Sequence, residues 1–121
     1  MNFEFDDNVP IYIQLVEQLK TYIISGQVKC GERLPSVRDL ANQVKVNPNT
    51  VQKAMIELED LGLVYTEKTN GKYVTTNEKL IERLKCAYAD ELSNQYFIGM
   101  KNIGFTKTDT LKFLRKLGTI R

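Results

Sequence analysis

The chain has 121 residues, enough for one full domain or for one small domain with an appendage. Its 42% hydrophobic and 26% charged residues are typical of a folded protein, and no apolar run approaches the roughly 18 residues that a membrane span needs. A formal net charge of only +2 excludes a strongly basic chain. The acidic N-terminus argues against a signal peptide, and a count of two cysteines argues against a disulfide framework. We therefore expect a reduced, cytoplasmic protein with no membrane partner.

The first predicted helix begins after Pro10, which follows a polar N-terminal segment. Apolar residues from Ile11 to Ile23 recur at intervals of three and four, the period of a helix with one buried face. Gly26 stands where a glycine commonly ends a helix. A loop or short extended stretch follows, with Gly31 as its turn residue.

The segment 34–51 predicts two short helices joined by a tight turn. Ser36 can cap the first helix, with Asp39 in capping-box position, and Asn47 can cap the second, with Pro48 at its first position. The apolar positions that we expect to face each other are Leu40, Ala41, Val44, Val51, Ala54, Met55 and Leu58. This pattern indicates a helix-turn-helix, whose second helix commonly reads the DNA major groove, and the alternative is an ordinary corner between two helices.

A β-hairpin is predicted next. Two β-favouring runs, 63–68 and 72–75, flank the dipeptide Asn70-Gly71, which is a strong hairpin signal. A hairpin directly after a recognition helix is the wing of a winged helix, and Lys68 and Lys72 near its tip are expected to follow a DNA backbone or minor groove. The alternative is a solvated hairpin whose lysines provide solubility.

The C-terminal third begins with a long predicted helix. Thr75 and Glu78 have capping-box spacing, so the helix starts near Asn77, and Gly104 ends it although Gly99 lies inside. About 25 residues give a length of roughly 38 Å, more than a small winged helix can cover. Its apolar stripe therefore predicts a homodimer, the alternative being a helix that folds back on its own domain. The residues assigned to dimerisation are Leu80, Leu84, Tyr88, Leu92 and Tyr96.

A last short helix completes the predicted fold. Thr106 caps it, Asp109 stands in the box position, and Gly118 ends it. The fold class is therefore mainly α with a small β-hairpin. We divide it into an N-terminal winged helix-turn-helix DNA-binding domain, residues 1–76, and a two-helix C-terminal dimerisation segment, residues 77–121.

The sequence contains no pattern for catalysis or metal binding. Without a histidine, no Ser-His or Cys-His pair and no His-based metal site can form, and the chain has neither a GxxxxGK[ST] phosphate loop nor suitably paired carboxylates. We therefore expect no enzyme activity and no cofactor.

The distribution of charge favours DNA binding only locally. Residues 1–77 carry eight basic and ten acidic side chains, but residues 29–53 carry five basic and two acidic ones.

Several motifs together resemble the GntR family of bacterial transcription regulators. They are PIYIQL at 10–15, GERLPSVRDLA at 31–41, VNPNTV at 46–51, LE-x-x-GL at 58–63 and GKYV at 71–74. Because only some 45 residues follow the wing, the chain resembles the short YtrA subfamily, in which the long helix pairs two subunits. The resemblance implies a homodimer that represses by binding a pseudo-palindromic operator in double-stranded DNA, and it points to a transporter operon as the regulated target.

The resemblance also implies which residues contact DNA. Arg38 matches the arginine of the family's second helix, which reaches a guanine in the major groove. Arg33 and Ser36 match positions near phosphates. The candidates at the recognition helix are Asn47, Asn49, Thr50, Gln52 and Lys53, of which Asn47 is expected to serve chiefly as the cap, and those at the wing tip are Lys68, Thr69 and Gly71.

Two residues depart from the family pattern. Pro48 stands where many members have arginine, so one charged contact is absent, although this form is familiar from the short subfamily. Thr69 stands where the wing often has glycine, which leaves the loop shape and its groove contact open.

A second class of function is a winged helix that binds another protein instead of DNA. The slight acidity of residues 1–77 suits it, but the polar face formed by Asn49, Gln52 and Lys53 argues against it, since protein docking sites favour aromatic side chains. A small-molecule effector is undetermined. Two helices cannot enclose the roughly 300 Å³ of a metabolite site within one subunit. A groove at the dimer interface, lined by residues such as Tyr88 and Phe97, is the alternative site, but we interpret these side chains as dimer core.

Overall fold

The computed structural model describes residues 1–68 and 70–120, so the predicted wing contact Thr69 lies outside the described residues. In chain order, the elements are α1 (Ile11–Ile24), α2 (Val37–Val44), α3 (Pro48–Asp60), β1 (Val64–Glu67), β2 (Gly71–Val74), α4 (Glu78–Asn102) and α5 (Lys107–Ile120). The prediction of a mainly helical fold with a small β-hairpin is confirmed. The chain divides into two compact units, Met1–Lys85 and Cys86–Arg121, and the division falls within α4.

The core of the first unit is built by α1, α2, α3 and the hairpin. Its fully buried side chains include Leu15, Leu19, Ile23, Leu40, Val51, Met55, Leu58, Leu63 and Val74. Burying one such side chain contributes about 1.5–3 kcal/mol, so this cluster carries most of the stabilisation of the unit. The facing positions predicted for the helix-turn-helix are confirmed as buried, except that Val44 is half-buried.

The two short helices start with the predicted caps. The Ser36 hydroxyl accepts a hydrogen bond from the Asp39 N–H at 3.0 Å, and the Asn47 Oδ1 accepts one from the Asn49 N–H at 2.8 Å. Lys45 ends α2 in the left-handed conformation, with φ at +58°. This one residue reverses the chain between α2 and α3, and so sets the angle at which α3 leaves the turn.

The hairpin gains a third extended segment from the loop before α2. Arg33 pairs with Tyr73 in an antiparallel bridge, and the Leu34 N–H donates a hydrogen bond to the Lys72 carbonyl at 2.8 Å. The loop that leads into α2 is therefore attached to β2. Because of this pairing, the position of the wing and the start of the helix-turn-helix are fixed together.

The N-terminal segment is attached to α1 by side-chain amides. The Glu4 N–H donates to the Gln18 Oε1 at 3.1 Å, and the Gln18 Nε2 donates back to the Glu4 carbonyl at 2.6 Å. Gln14 holds the backbone of Asp6 in the same way, with both distances 2.7 Å. Gln14 and Gln18, one helical turn apart, thus bind the backbone N–H and carbonyl groups that a neighbouring β-strand would otherwise bind. The sequence analysis assigned no structure to this segment.

The long helix α4 starts where predicted but with a different cap. The Asn77 Oδ1 accepts a hydrogen bond from the Leu80 N–H at 3.0 Å, so Asn77 is the cap and the predicted box between Thr75 and Glu78 is wrong. Thr75 instead accepts from the Asn77 N–H, which orients the capping residue. Within the described ranges, no helix is both long and apolar enough to cross a membrane.

The last helix confirms one prediction and corrects another. Thr106 and Asp109 form a complete capping box: the Asp109 N–H donates to the Thr106 hydroxyl at 3.0 Å, and the Thr106 N–H donates to the Asp109 Oδ2 at 3.2 Å. Gly104, with φ at +99°, follows α4 as predicted. The predicted end at Gly118 is wrong, because Gly118 lacks a positive φ and α5 continues to Ile120.

Candidate nucleic-acid interface

The first turn of α3 presents the predicted polar contacts. Asn49 and Gln52 are exposed, and Thr50 is half-buried. Asn47 is also exposed, but its Oδ1 is engaged in the cap of α3. The free amide groups of Asn49 and Gln52 suit bidentate pairing with an adenine edge, and the positive end of the helix dipole favours a nearby phosphate.

Arg38 lies in the first turn of α2 and is exposed. No carboxylate among the described residues is within ion-pair distance of its guanidinium. A guanidinium that is not engaged in the protein keeps its donor groups available for a guanine or a phosphate. The Ser36 hydroxyl, in contrast, is engaged in the cap of α2.

Lys53 is exposed and has an aromatic support. Its Nζ lies 4.3 Å from the centroid of the Tyr12 ring, which belongs to α1. Burial raises the pKa of the Tyr12 hydroxyl, and the neighbouring Glu57 carboxylate raises it further. The ring therefore stays neutral and holds the Lys53 ammonium on the surface of α3. The sequence analysis missed this role of Tyr12, which lies forty-one residues before Lys53.

The wing and the loop before α2 bring two predicted contacts together. A Cβ atom placed on Gly71 would lie 3.4 Å from both Nε and Nη2 of Arg33. Gly71 also has φ at +102°, a conformation that side chains rarely allow. Arg33 and Gly71 therefore form one surface, and the exposed Lys68 directly follows β1 in the chain.

The Lys72 side chain does not have the DNA-contacting role predicted for it, because its ammonium is engaged within the protein. Its Nζ pairs with Glu59 Oε1 on α3 at 2.5 Å and also contacts the Thr66 hydroxyl at 3.1 Å. Only 15% of the Lys72 side chain is exposed. The hydrogen bond from Lys72 lowers the pKa of Glu59, so the pair is charged at neutral pH. Lys72 thus attaches the wing to α3, and the prediction that it follows a DNA backbone is wrong.

An aromatic pair on the wing was missed by the sequence analysis. Tyr65 and Tyr73 are directly opposite in the hairpin register, and their rings stack with centroids 5.7 Å apart. Because Arg33 is bridged to Tyr73, the three side chains occupy one row across the extended segments. A two-residue turn at Asn70-Gly71 would place Lys68 opposite Tyr73, whereas the observed register places Glu67 opposite Gly71, so counting back from the predicted turn would have missed this pair.

The residues assigned to dimerisation have unequal exposure. Leu80, Leu84 and Tyr88 are half-buried, and Leu84 packs against the core of the first unit. Leu92 is 63% exposed and Tyr96 is 37% exposed. The exposed pair lies in the second unit, where other large apolar side chains such as Ile98 and Ile103 are also uncovered. Dimerisation through these positions stays a prediction.

Metal chemistry has no support within the described part of the chain. No group of three or more His, Cys, Asp or Glu side chains there could hold an ion. Cys30 and Cys86 are both exposed. The exposed polar and cationic groups described above for the first unit are of the kinds that bind phosphates and base edges.

Comparison with known proteins gives a consistent result. The family model described as bacterial regulatory proteins, gntR family, matches residues 11–74. The HTH-type transcriptional regulator YhcF of Bacillus subtilis is 33% identical over 115 residues, which cover 95% of this chain and 95% of YhcF. The HTH-type transcriptional repressor YtrA of Bacillus subtilis is 44% identical over 72 residues, which cover 60% of this chain and 55% of YtrA. The match thus spans nearly all of YhcF and about half of YtrA.

Solved structures share this fold. A GntR family transcriptional regulator from Listeria monocytogenes superposes with a TM-score of 0.85 at 38% identity, over 93% of this chain and 98% of that one. The AraR DNA-binding domain in complex with operator ORX1 superposes with a TM-score of 0.53 at 25% identity, over 62% of this chain and 92% of that one. These similar proteins are transcription regulators, which agrees with the expectation that the chain is not an enzyme.

Proposed function

The chain belongs to the GntR family of bacterial regulatory proteins, and from this premise we propose that it represses transcription as a homodimer bound to a pseudo-palindromic operator. The observation that carries the proposal is the exposed set of unengaged polar and cationic groups on α2 and α3. Arg38 is exposed and unpaired among the described residues, and Asn49 and Gln52 extend from the first turn of α3. Because its proposed target is genomic DNA, the proposal locates the protein in the cytoplasm.

The phosphate and base contacts have different roles in this proposal. Arg38 reads a guanine and the two amides read adenine, each at about 1–3 kcal/mol of discrimination. Arg33, Lys53 and Lys68 neutralise phosphates and fix the register without reading sequence. The local cationic surface compensates for the slight net acidity of residues 1–77.

The second unit supplies the homodimer. Leu92 and Ile103 are each at least 60% exposed, which favours burial against another copy. A two-fold dimer predicts two half-sites about 34 Å apart or at a related spacing. The similarity to the repressor YtrA supports repression over activation. The subfamily resemblance points to an operon that encodes a transporter as the regulated target.

The test is fluorescence anisotropy with labelled DNA from upstream of the gene, a scrambled duplex of equal length, and two salt concentrations. We expect tight binding to the upstream DNA only, with an affinity that falls steeply as salt rises. Equal weak binding to both duplexes would place the operator elsewhere and lead to a genomic selection for it. Absence of binding to any DNA at low salt would overturn the proposal in favour of a protein-interaction module.

A further inference from the structure

The second unit contains an open cleft at the end of α4. It has a volume of about 770 Å³, within the range of roughly 300–1,000 Å³ that small-molecule sites occupy. Phe97, Ile98 and Lys101 line it from α4, and Phe105, Thr106 and Lys107 line it from the turn into α5. The cleft is lined by residues of one chain and is open to solvent, so it is a surface site and not the enclosed cavity that the sequence analysis judged two helices unable to form.

The aromatic wall of the cleft is fixed in place. The rings of Phe105 and Phe113 meet edge to face with centroids 5.8 Å apart, so α5 supports Phe105 from behind. Phe97 and Phe105 are both half-buried, whereas Ile98 is 60% exposed. An apolar ligand body would therefore cover uncovered aliphatic and aromatic surface without moving the helices.

The charged side chains that line the cleft are both positive. Lys101 and Lys107 both line it, and neither has a described carboxylate within ion-pair distance. The Lys107 ammonium lies 5.4 Å from the centroid of the Phe97 ring, directly against the apolar wall. The acid nearest along α5, Asp109, is engaged by the N–H and the hydroxyl of Thr106. Among residues 1–68 and 70–120, the two ammonium groups therefore have no carboxylate partner, and they lie beside an apolar surface.

We propose that this cleft binds a small amphipathic anion. Its acid group pairs with Lys101 and Lys107, and its apolar body covers Phe97, Ile98 and Phe105. A neutral analogue loses the ion pairs, and a cation is repelled by both lysines. The binding site itself does not require operator binding. Control of DNA affinity by the ligand would rest on the proposed function.

The experiment uses the full chain and 8-anilinonaphthalene-1-sulfonate, an aromatic sulfonate with a large apolar body. Its fluorescence is titrated with the parent chain, with the double variant Lys101→Gln/Lys107→Gln, and with the matched variant Lys112→Gln/Lys116→Gln. Both variants lose two charges, but only the first pair lines the cleft. We expect saturable binding to the parent, about tenfold weaker binding to the cleft variant, and no change beyond twofold in the matched variant.

Competition then tests the chemistry of the ligand. Octanoate should displace the probe, and 1-octanol at the same concentration should not. Equal displacement by both, equal weakening in both double variants, or fluorescence that never saturates would overturn the proposal.

A second copy of the chain is the rival occupant of the cleft. Probe binding only by a monomeric Leu92→Asp variant, and not by a dimeric parent, would show that the second copy fills the cleft and would also overturn the proposal. Operator anisotropy on the same samples separates these outcomes from a failure of the proposed function.

Discussion

The guanidinium of Arg33 lies against Gly71, so that a side chain at Gly71 would meet it at 3.4 Å. Arg33 belongs to the loop before α2 and Gly71 to the wing, thirty-eight residues later. The backbone bridge between Arg33 and Tyr73 holds the two segments together. The wing and this loop therefore present one surface, and we expect Arg33 to contact the same stretch of DNA backbone as the wing tip.

Replacing Arg33 by alanine should weaken binding to every duplex by a similar factor. A phosphate contact carries no sequence information, so the ratio of operator to scrambled affinity should hold. The slope of log affinity against log salt should fall by about 1, as expected for one lost phosphate contact. Anisotropy over a salt series measures both quantities. Lys79→Ala, at an exposed position of α4, is the control, and an unchanged slope in Arg33→Ala would refute the contact.

Arg38→Ala should act in the opposite way and reduce specificity. The loss should be about 1–3 kcal/mol on the operator, with little change on the scrambled duplex. Because Arg38 is exposed and packs no core, thermal unfolding should stay unchanged within about 0.5 kcal/mol. Anisotropy on both duplexes provides the measurement. A uniform loss on the two duplexes would reassign Arg38 to the phosphates.

Local rules predicted most of the first unit. Ser36 and Asn47 formed the expected caps, because a cap depends on residues two or three positions away. Gly26 ended the first helix with a positive φ as predicted, whereas Gly118 shows that glycine does not end a helix without that conformation. The presence of a hairpin followed from Asn70-Gly71 for the same local reason, but its register did not, because Gly71 lies in β2 opposite Glu67.

Contacts between distant segments were not predictable in this way. The pairing of Lys72 with Glu59 depends on how the hairpin packs on α3, and no spacing in the sequence encodes it. The cation–π contact of Lys53 depends likewise on the packing of α1 against α3. The DNA contacts rest on the family resemblance and the dimer positions on the apolar stripe of α4, because exposure alone does not identify a partner.

Glu59→Gln should destabilise the chain at neutral pH and not in acid. The pKa of Glu59 is lowered in the folded state. The stabilisation of the fold by the Glu59–Lys72 pair is therefore complete above the ordinary pKa of 4.5, and it is lost as the pH falls through the lowered pKa of Glu59. With both side chains partly exposed, we expect a loss of about 0.2–1 kcal/mol at pH 7. Urea unfolding across pH gives the difference.

The control for Glu59 is Glu67→Gln, the same change at an exposed glutamate of β1. It should leave the pH dependence of unfolding as in the parent. A double variant with Lys72→Met should lose little more than Glu59→Gln alone, because both changes remove the same ion pair. Additive losses would show that the pair contributes nothing.

Lys45→Gly should stabilise the turn between α2 and α3. Lysine at φ +58° carries a steric cost of about 1–2 kcal/mol, and glycine removes it while adding up to about 1 kcal/mol of entropy in the unfolded chain. The net gain in unfolding free energy should be at most about 1 kcal/mol. Urea unfolding measures it, with Lys45→Ala as the variant that keeps the strain and should show no gain.

Leu92→Asp should convert the proposed dimer to monomers. Leu92 is 63% exposed in the single chain, so a charge there costs nothing in the monomer and is unfavourable only when a second copy covers it. Ile13→Asp changes an equally apolar side chain, 48% exposed in the first unit, and should leave the assembly intact. Sedimentation velocity measures the mass, and anisotropy should show weaker operator binding because two half-sites are no longer held together. A Leu92→Asp chain that still sediments as a dimer would move the interface to another face of the protein.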